Sequence, residues 1–487
     1  MTGHPVDGYA GYLSHAAARW PARIALRFEG RAWTYAELES ATERAASNLL
    51  AAGIGRGTTV ALLMENCPEY LIAQFALARL GAVFATPNPY WTPTEIAQAL
   101  DVAAATAAVY ADRFTHEAAH LQIGVPAQIL TAGGAARRAA GHLTSRDPLY
   151  VPFSSGTTGT PKGVLHTTAS LCGGVEQLRH HLGLSGDDRV AIALPLCHIF
   201  GATMSASAFS VGAEVTLFRR FDLDESLRHI AQARVTIWPL AGAAAHRLAQ
   251  RDDLRVEDFS SLRFFMWGGS PIPVGLAEQI TARTGVRFLC SYGMTEAMMV
   301  AFNPVDEPER WRLDSPGYPT EGTELRLTAT AELEVRGPSV AAGYAGIDSP
   351  AFLPDGWFAT GDVAEIAADG RLRIVDRVKD VFKVSGFQVS PVEVERVLAA
   401  HPAVIEAAVV SRSDDRTGEA AVAFVVARTP DLSAELLHDW VRTRLATYKR
   451  PREYRFVADL PRTVGGKLRR GELRSRLIAP EGQSINS

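Results

Sequence analysis

Apolar and polar positions along this chain switch between a helical period and short unbroken apolar runs. Thr34 and Glu37 have the spacing of a capping box, and the residues behind them put Leu38, Ala41, Ala45 and Leu49 on one face. The pattern predicts a helix that stops near Gly53. TTVALLM at 58–64 reads as a buried strand, PEYLIAQFALARLG at 68–81 as a helix closing at glycine, and AVFATPN as a further strand and turn. Thr92 and Glu95 repeat the box. Tyr150 to Phe153 read as a strand entering a loop, followed by a helix over 167–182. Strands RVAIALP (189–195), EVTLF and VTIWP then alternate with helices SLRHIAQA and 241–250. RFFMWGGS (263–270) is a strand ending in glycines, a helix starts at Pro271 or Pro273, and RFLCSYGMTE (287–296) is a strand running into a polar turn.

Helices alternating with short apolar strands predict an α/β fold, with mixed sheets covered by helices. From 323 the apolar stretches shorten and break at Asp355-Gly356 and Asp369-Gly370, which predicts a β-rich, hairpin-built subdomain. Residues 376–380, Asp-Arg-Val-Lys-Asp, then interrupt the pattern with four charges in five positions. Beyond them helix 391–400, strands 404–411 and 420–427, helix 433–446 and strand 454–457 form a small α+β unit of βαββα type. A domain boundary and a hinge are expected at the charged segment. Residues 111–147 carry little pattern, and AGGAARRAAG (132–141) reads as a surface loop.

Composition narrows the class. Among 487 residues, 47% are apolar, enough for large cores, yet no apolar run is long enough for a membrane span. The N-terminal residues lack the basic and apolar regions of a secretory signal, so a cytoplasmic location is expected. Cys67, Cys172, Cys197 and Cys290 are widely spaced, which argues against a disulfide framework or a structural zinc site. A net charge of −4 gives no basic field for nucleic acid. Lysine stands at only five of the 49 Lys and Arg positions: 162, 379, 383, 449 and 467. In a chain that prefers arginine, these mark places where a compact ammonium serves and a planar guanidinium does not.

The stretch 154–163, SSGTTGTPKG, concentrates chemistry. Gly156, Gly159 and Gly163 let the backbone turn tightly, Ser154, Ser155, Thr157, Thr158 and Thr160 bring hydroxyl donors, and Lys162 brings a positive charge. That composition suits a polyphosphate. It is not the P-loop of NTPases, which needs four residues between its glycines and a Gly-Lys-Ser/Thr ending.

Six stretches, in order, carry a resemblance: SSGTTGTPKGV (154–164), PLCHIFG (195–201), GGSPIP (268–273), SYGMTE (291–296), GWFATGDV (356–363) with DRVKDVFKVSGFQVSPVEVE (376–395), and PRTVGGKLRR (461–470). Together they make the chain similar to the adenylate-forming superfamily of acyl- and aryl-CoA ligases, luciferases and peptide-synthetase adenylation domains. The resemblance implies a large N-terminal AMP-binding domain, 1–378, and a small mobile C-terminal domain, 379–487, turning near Lys379. It implies attack of a carboxylate on the α-phosphorus of ATP, release of pyrophosphate, and transfer of the acyl group from acyl-AMP to a thiol. Such chemistry needs positioning and charge neutralisation more than a side-chain nucleophile.

On this resemblance Ser154, Ser155, Gly156, Thr157, Thr158, Gly159 and Lys162 would hold the β- and γ-phosphates. Tyr292 would stack on adenine, with Gly268, Gly269, Ser270, Ser291 and Gly293 around the base, and Thr295 would contact the α-phosphate. Glu296 would ligate Mg²⁺, while Asp362 and Arg377 would bind the ribose. Lys467 would reach the carboxylate and α-phosphate during adenylation. After rotation at Lys379, the strand around Lys383, Ser385, Gly386 and Gln388 would face the site, Gly386 leaving room for a pantetheine arm.

His198 matches a position near the acid and the thiol entrance, although a helix-cap or core histidine fits the same residues. His198 to Ser207 contains no acid that would hold an α-ammonium. A pocket of His198, Phe200, Gly201, Ala202, Gly268, Ala297, Met298 and Met299 therefore suggests an apolar aromatic or aliphatic carboxylic acid. Cys197 stands where the family often has phenylalanine, and Gly465 where serine is common. The expected reactants are ATP, Mg²⁺, a small carboxylic acid and coenzyme A, in a monomer or homodimer. A stand-alone enzyme loading a carrier protein, a luciferase-like oxidase and a non-catalytic acyl-AMP-binding relative are the rivals. The complete set Lys162, Glu296, Asp362, Arg377 and Lys467 argues against the last.

Overall fold

In the computed structural model the two predicted boxes close the entrances of their helices. Thr34 and Thr92 accept the backbone N–H of Glu37 and Glu95, and each glutamate accepts its cap's N–H in return. Helix Pro68–Leu80 ends as expected at Gly81, which adopts the left-handed conformation with φ 67°. The structure describes residues 8–133, 143–154, 161–240, 242–270, 272–378, 380–384, 387–462 and 468–478.

Among the described residues the strands form four sheets. At the centre of a nine-stranded sheet, strands Ile24–Phe28, Glu214–Leu217, Arg189–Ile192, Ile237–Pro239, Phe264–Trp267 and Phe288–Tyr292 run parallel. In a seven-stranded sheet, Ile123–Pro126, Ala107–Tyr110, Thr59–Leu63, Val83–Thr86 and Pro148–Ser154 are parallel, and Lys162–Thr167 turns back antiparallel. Helices Gly8–Arg19, Pro68–Leu80, Thr168–His181 and Ile199–Ser210 share one core with both sheets. Pro68–Leu80 is apolar almost all round because it is covered almost all round.

The third sheet is the expected hairpin-built subdomain: Glu324–Leu327, Glu332–Arg336, Phe358–Ile366 and Leu372–Arg377, all antiparallel. The fourth belongs to the small C-terminal domain and has its own apolar clusters, centred on Val394, Leu398, Val409 and Val425 on one face and Val410, Phe424 and Leu473 on the other.

Four pieces depart from the sequence pattern. Between the loop and the helix at Thr168 lies the strand Lys162–Thr167, whose last residue caps that helix. A hairpin of Phe382–Val384 and Phe387–Val389 and a helix Arg470–Ile478 enlarge the βαββα unit. The low-pattern region contributes the edge strand Ile123–Pro126, too short to announce itself by periodicity. Most of the loop expected at 132–141 lies outside the described residues.

Candidate active site

Parallel strands deliver their C-terminal ends to one edge, where ligands of α/β sheets bind. Phe264–Trp267 and Phe288–Tyr292 are neighbours in register, Trp267 beside Cys290, so the segments after them meet. Ser291 Oγ donates to Trp267 O at 3.1 Å, and a side chain on Gly268 would meet that hydroxyl at 2.7 Å. Gly269 has φ 78°. Trp267 Nε1–H closes the turn on Ser270 O at 2.8 Å. Gly293 tolerates no side chain, because a Cβ would lie 1.8 Å from Met298 O. Met294 and Ala297 exchange backbone hydrogen bonds of 2.9 and 3.2 Å, which leaves Thr295 and Glu296 at the tip of a tight turn.

The antiparallel pairing of Phe358–Ile366 with Leu372–Arg377 sets Asp362 directly opposite Arg377. Arg377 Nε–H donates to Asp362 Oδ1 at 2.8 Å, and Tyr292 Oη–H donates to Asp362 Oδ2. Burial and the adjacent carboxylate push the Tyr292 hydroxyl well above its ordinary pKa, so it remains a donor. Both carboxylate oxygens keep a further lone pair, and Tyr292, Asp362 and Arg377 thus form one polar wall.

A second cluster gathers at the base of the glycine-rich loop. Ser154 and Lys162 are paired residues at the ends of the two strands flanking it. Ser154 Oγ–H donates to Glu296 Oε1 at 3.0 Å, and Tyr344 Oη–H donates to the same oxygen at 2.9 Å. Lys162 Nζ lies 5.1 Å from the centre of the Tyr344 ring. With both donors on Oε1, the carboxylate keeps lone pairs on Oε2 for a cation. No group of three or more His, Cys, Asp or Glu among the described residues could hold a metal. That donor set fits Mg²⁺, which takes one carboxylate and completes its shell with phosphate oxygens and water. Tyr344 and His166, whose Nε2 reaches Thr295 O at 2.8 Å, were not singled out in the sequence.

His198 sits at the start of helix Ile199–Ser210 with φ −84° and ψ 144°, and makes no side-chain cap. Its turn is clamped from behind. Buried Asn66 donates to Leu194 O and accepts from Leu196 N, and Thr86 Oγ1 donates to Cys197 O at 2.9 Å. Burial pushes the Cys197 thiol up to about 12, so it behaves as an apolar wall. Phe200 is half-buried; Gly201, Ala202, Ala297, Met298 and Met299 are buried. Ala202 O accepts from Tyr9 Oη, and Met298 packs over Gly174.

In the C-terminal domain Lys383 is exposed and lies opposite Gln388 in the hairpin. Ser155, Gly156, Thr157, Thr158, Gly159, Lys379, Ser385, Gly386, Lys467 and the Gln388 side chain lie outside the described residues.

Comparison with known proteins bears on this arrangement. The AMP-binding enzyme profile matches residues 13–345, and the C-terminal domain profile of AMP-binding enzymes matches residues 393–467. The chain belongs to the AMP-binding enzyme family. Among this family's members it is 33% identical to 4-coumarate–CoA ligase 3 of Oryza sativa subsp. japonica, over 92% of this chain and 88% of that one. It is 34% identical to feruloyl-CoA synthase of an Amycolatopsis species, over 96% and 99%. The structure of o-succinylbenzoate CoA synthetase from Bacillus subtilis with its acyl-adenylate intermediate superposes with a TM-score of 0.87 at 29% identity, covering all of both chains. As an AMP-binding ligase the enzyme activates a carboxylic acid with ATP, forms acyl-AMP with release of pyrophosphate, and transfers the acyl group to coenzyme A. Among the described residues no helix is long and apolar enough to cross a membrane.

Proposed function

We propose that this enzyme is an aryl-CoA ligase whose acid is a planar aromatic carboxylate of the hydroxycinnamate kind. The observation that carries this reading is that the helix start from His198 to Ser207 holds no acid, while Cys197, Ala202, Met298 and Met299 are all buried. Such a composition offers nothing to an α-ammonium. The curated relatives named for 4-coumarate and ferulate support it.

In this reading the Asp362 carboxylate accepts both ribose hydroxyls, Arg377 holds Asp362 in place, and Tyr292 covers the base. Ser154 and Lys162 take the β- and γ-phosphates. Thr295 and Lys467 meet the α-phosphate, and Glu296 would hold Mg²⁺. The cation's contribution is neutralisation of phosphate charge. The acid's carboxylate then attacks the α-phosphorus in line with departing pyrophosphate. Rotation at Lys379, between residues 1–378 and 379–487, exchanges Lys467 for the hairpin of Lys383 and Gln388. Lys379→Pro fixes the backbone there and is expected to slow thioester formation about tenfold while sparing adenylation.

Coenzyme A is favoured over a carrier protein by the curated relatives, which are named as CoA ligases and synthases.

A pyrophosphate-release screen tests the reading. Hydroxycinnamates are expected to exceed saturated fatty acids, dicarboxylates and amino acids in kcat/KM, with coenzyme A as acceptor. A best substrate among amino acids, or turnover only with a phosphopantetheinylated carrier, would overturn it.

A further inference from the structure

We infer that His166 is a positioning residue which ties the strand carrying Lys162 to the turn carrying Thr295, so that one ligand can span both. The imidazole is fully buried and lies between two phosphate-side elements. Its own strand, Lys162–Thr167, begins at Lys162 and pairs with the strand that ends at Ser154. From that strand Nε2 reaches across to the backbone carbonyl of Thr295 at 2.8 Å, and Nδ1 lies 3.1 Å from Ser170 Oγ.

These partners assign the tautomer. A carbonyl only accepts, so the proton is on Nε2, and Nδ1 is an acceptor for the Ser170 hydroxyl, which also has Thr167 O within reach at 3.3 Å. Ser170 Oγ in turn accepts from Thr167 N at 3.0 Å, which fixes it at the start of its helix. Burial pulls the His166 pKa down to about 4, which keeps the neutral form over the working range. The next residue of the turn is held separately, Glu296 O by Ala341 N at 2.8 Å and its carboxylate by Ser154 and Tyr344. His166 is thus the side-chain link from the lysine strand to the Thr295 peptide.

The consequence differs between ligands. ATP touches both elements at once, Lys162 through its outer phosphates and Thr295 through the α-phosphate. AMP and acyl-AMP touch only the second. Loss of the link should therefore weaken whatever spans the two and spare whatever does not. This rests on the phosphate assignments proposed above.

The test measures binding of a non-hydrolysable ATP analogue and of AMP by calorimetry, together with the two half-reactions, in H166F, H166Q and H166N. In H166F analogue binding and pyrophosphate exchange are expected to fall about tenfold, with AMP binding and thioester formation from supplied acyl-AMP within about threefold of the parent. H166Q puts an amide N–H near the Nε2 position and should recover most of the loss; H166N, whose donor is too short, should not. Should H166F fail to fold, the contrast between Gln and Asn carries the same test. Equal weakening of the ATP analogue and AMP, or no difference between Gln and Asn, would overturn the inference. E296Q and K162M assayed alongside separate the two readings. If these leave the preference for ATP over AMP untouched, the phosphate assignments fail, whatever His166 does.

Discussion

Asp362 and Arg377 face each other across a strand pair, with Tyr292 closing the carboxylate from a neighbouring sheet. Lys383 stands exposed on a hairpin of two three-residue strands, opposite Gln388 in the backbone pairing. The first arrangement is pre-organised, with the buried Asp362 carboxylate held on one oxygen by Arg377 and on the other by Tyr292. The second is not, and a domain that must offer different groups at different moments has reason to keep them unanchored. Between the two lies a seam. Buried Asp376 accepts from Ser390 and from Val392 N, across the charged segment, while Asp380 pairs with Arg474 at 3.2 Å and lies 3.7 Å from Arg470 on the C-terminal side. Arg470 also grips Glu395, so Asp380 is fastened to its own domain. The Asp376 carboxyl, its pKa raised by burial, helps tie the subdomain sheet to the start of helix Pro391–Ala399.

If the C-terminal half works by turns, removing its adenylation lysine must split the reaction. Lys467→Ala is expected to lower pyrophosphate exchange by 10²–10³, about the effect of deleting one charged donor at a developing charge. Thioester formation from supplied acyl-AMP should stay within about threefold of the parent. Equal losses in both half-reactions would remove the contrast between the halves.

The pre-organised half makes the opposite forecast. Asp362→Ala leaves the Tyr292 hydroxyl and the Arg377 guanidinium facing an empty wall, and AMP is needed in both steps. Both half-reactions should drop about 10²-fold, and AMP binding measured by calorimetry should weaken in parallel. A loss confined to adenylation would mean that the wall serves the triphosphate alone.

How far the sequence reveals each half follows from the same difference. Capping boxes, apolar runs and paired turns are local, so the helices at Thr34 and Thr92, the central strands and the subdomain hairpins are legible residue by residue. Asp362 and Arg377 are legible because each sits in a motif, and strand register alone then brings them together. Tyr344 is not. It lies in AAGYAG, a stretch without chemical pattern, and gains its contact with Glu296 only because Gly343–Tyr344 adds an edge strand to Lys162–Thr167. Asn66 and Thr86 stay hidden for a similar reason, since their partners are backbone groups 111 to 152 residues away. The strand Lys162–Thr167 itself is obscured by the helix cap that ends it.

Acid offers a way to loosen the buried half selectively. His166 is neutral in the folded chain, with its pKa pulled from about 6.5 to about 4. Below about pH 6.5 the unfolded chain takes up a proton that the folded one refuses, so this stabilisation is present above that pH and falls as pH drops toward 4. Between pH 7.5 and 5 the loss from His166 amounts to about 2 kcal/mol. His181, also lowered to about 4, adds to the slope. Denaturant melts at the two pH values should show the decline in the parent and a shallower one in His166→Gln. An unchanged slope in the variant would mean that His166 is not kept neutral by the fold.

The smallest effect tests how much redundancy the pre-organised half contains. Glu296 Oε1 receives two hydroxyl donors, and Tyr344→Phe removes one while leaving the ring over Lys162. Ser154 still holds the carboxylate, so the loss should be that of one hydrogen bond to a charged group shared with a remaining partner, about threefold in kcat/KM for adenylation. Because the ring stays, the lysine environment is kept, and a change in the Mg²⁺ concentration needed for half-maximal exchange isolates the carboxylate. Ser154→Ala takes away a phosphate contact as well and should cost more, and the double variant should lose far more than the product of the two, since Oε1 would then have neither donor. Simple additivity would show that the carboxylate is held by the strand and turn backbones alone, which would make the buried half rigid by its peptide hydrogen bonds and not by its side chains.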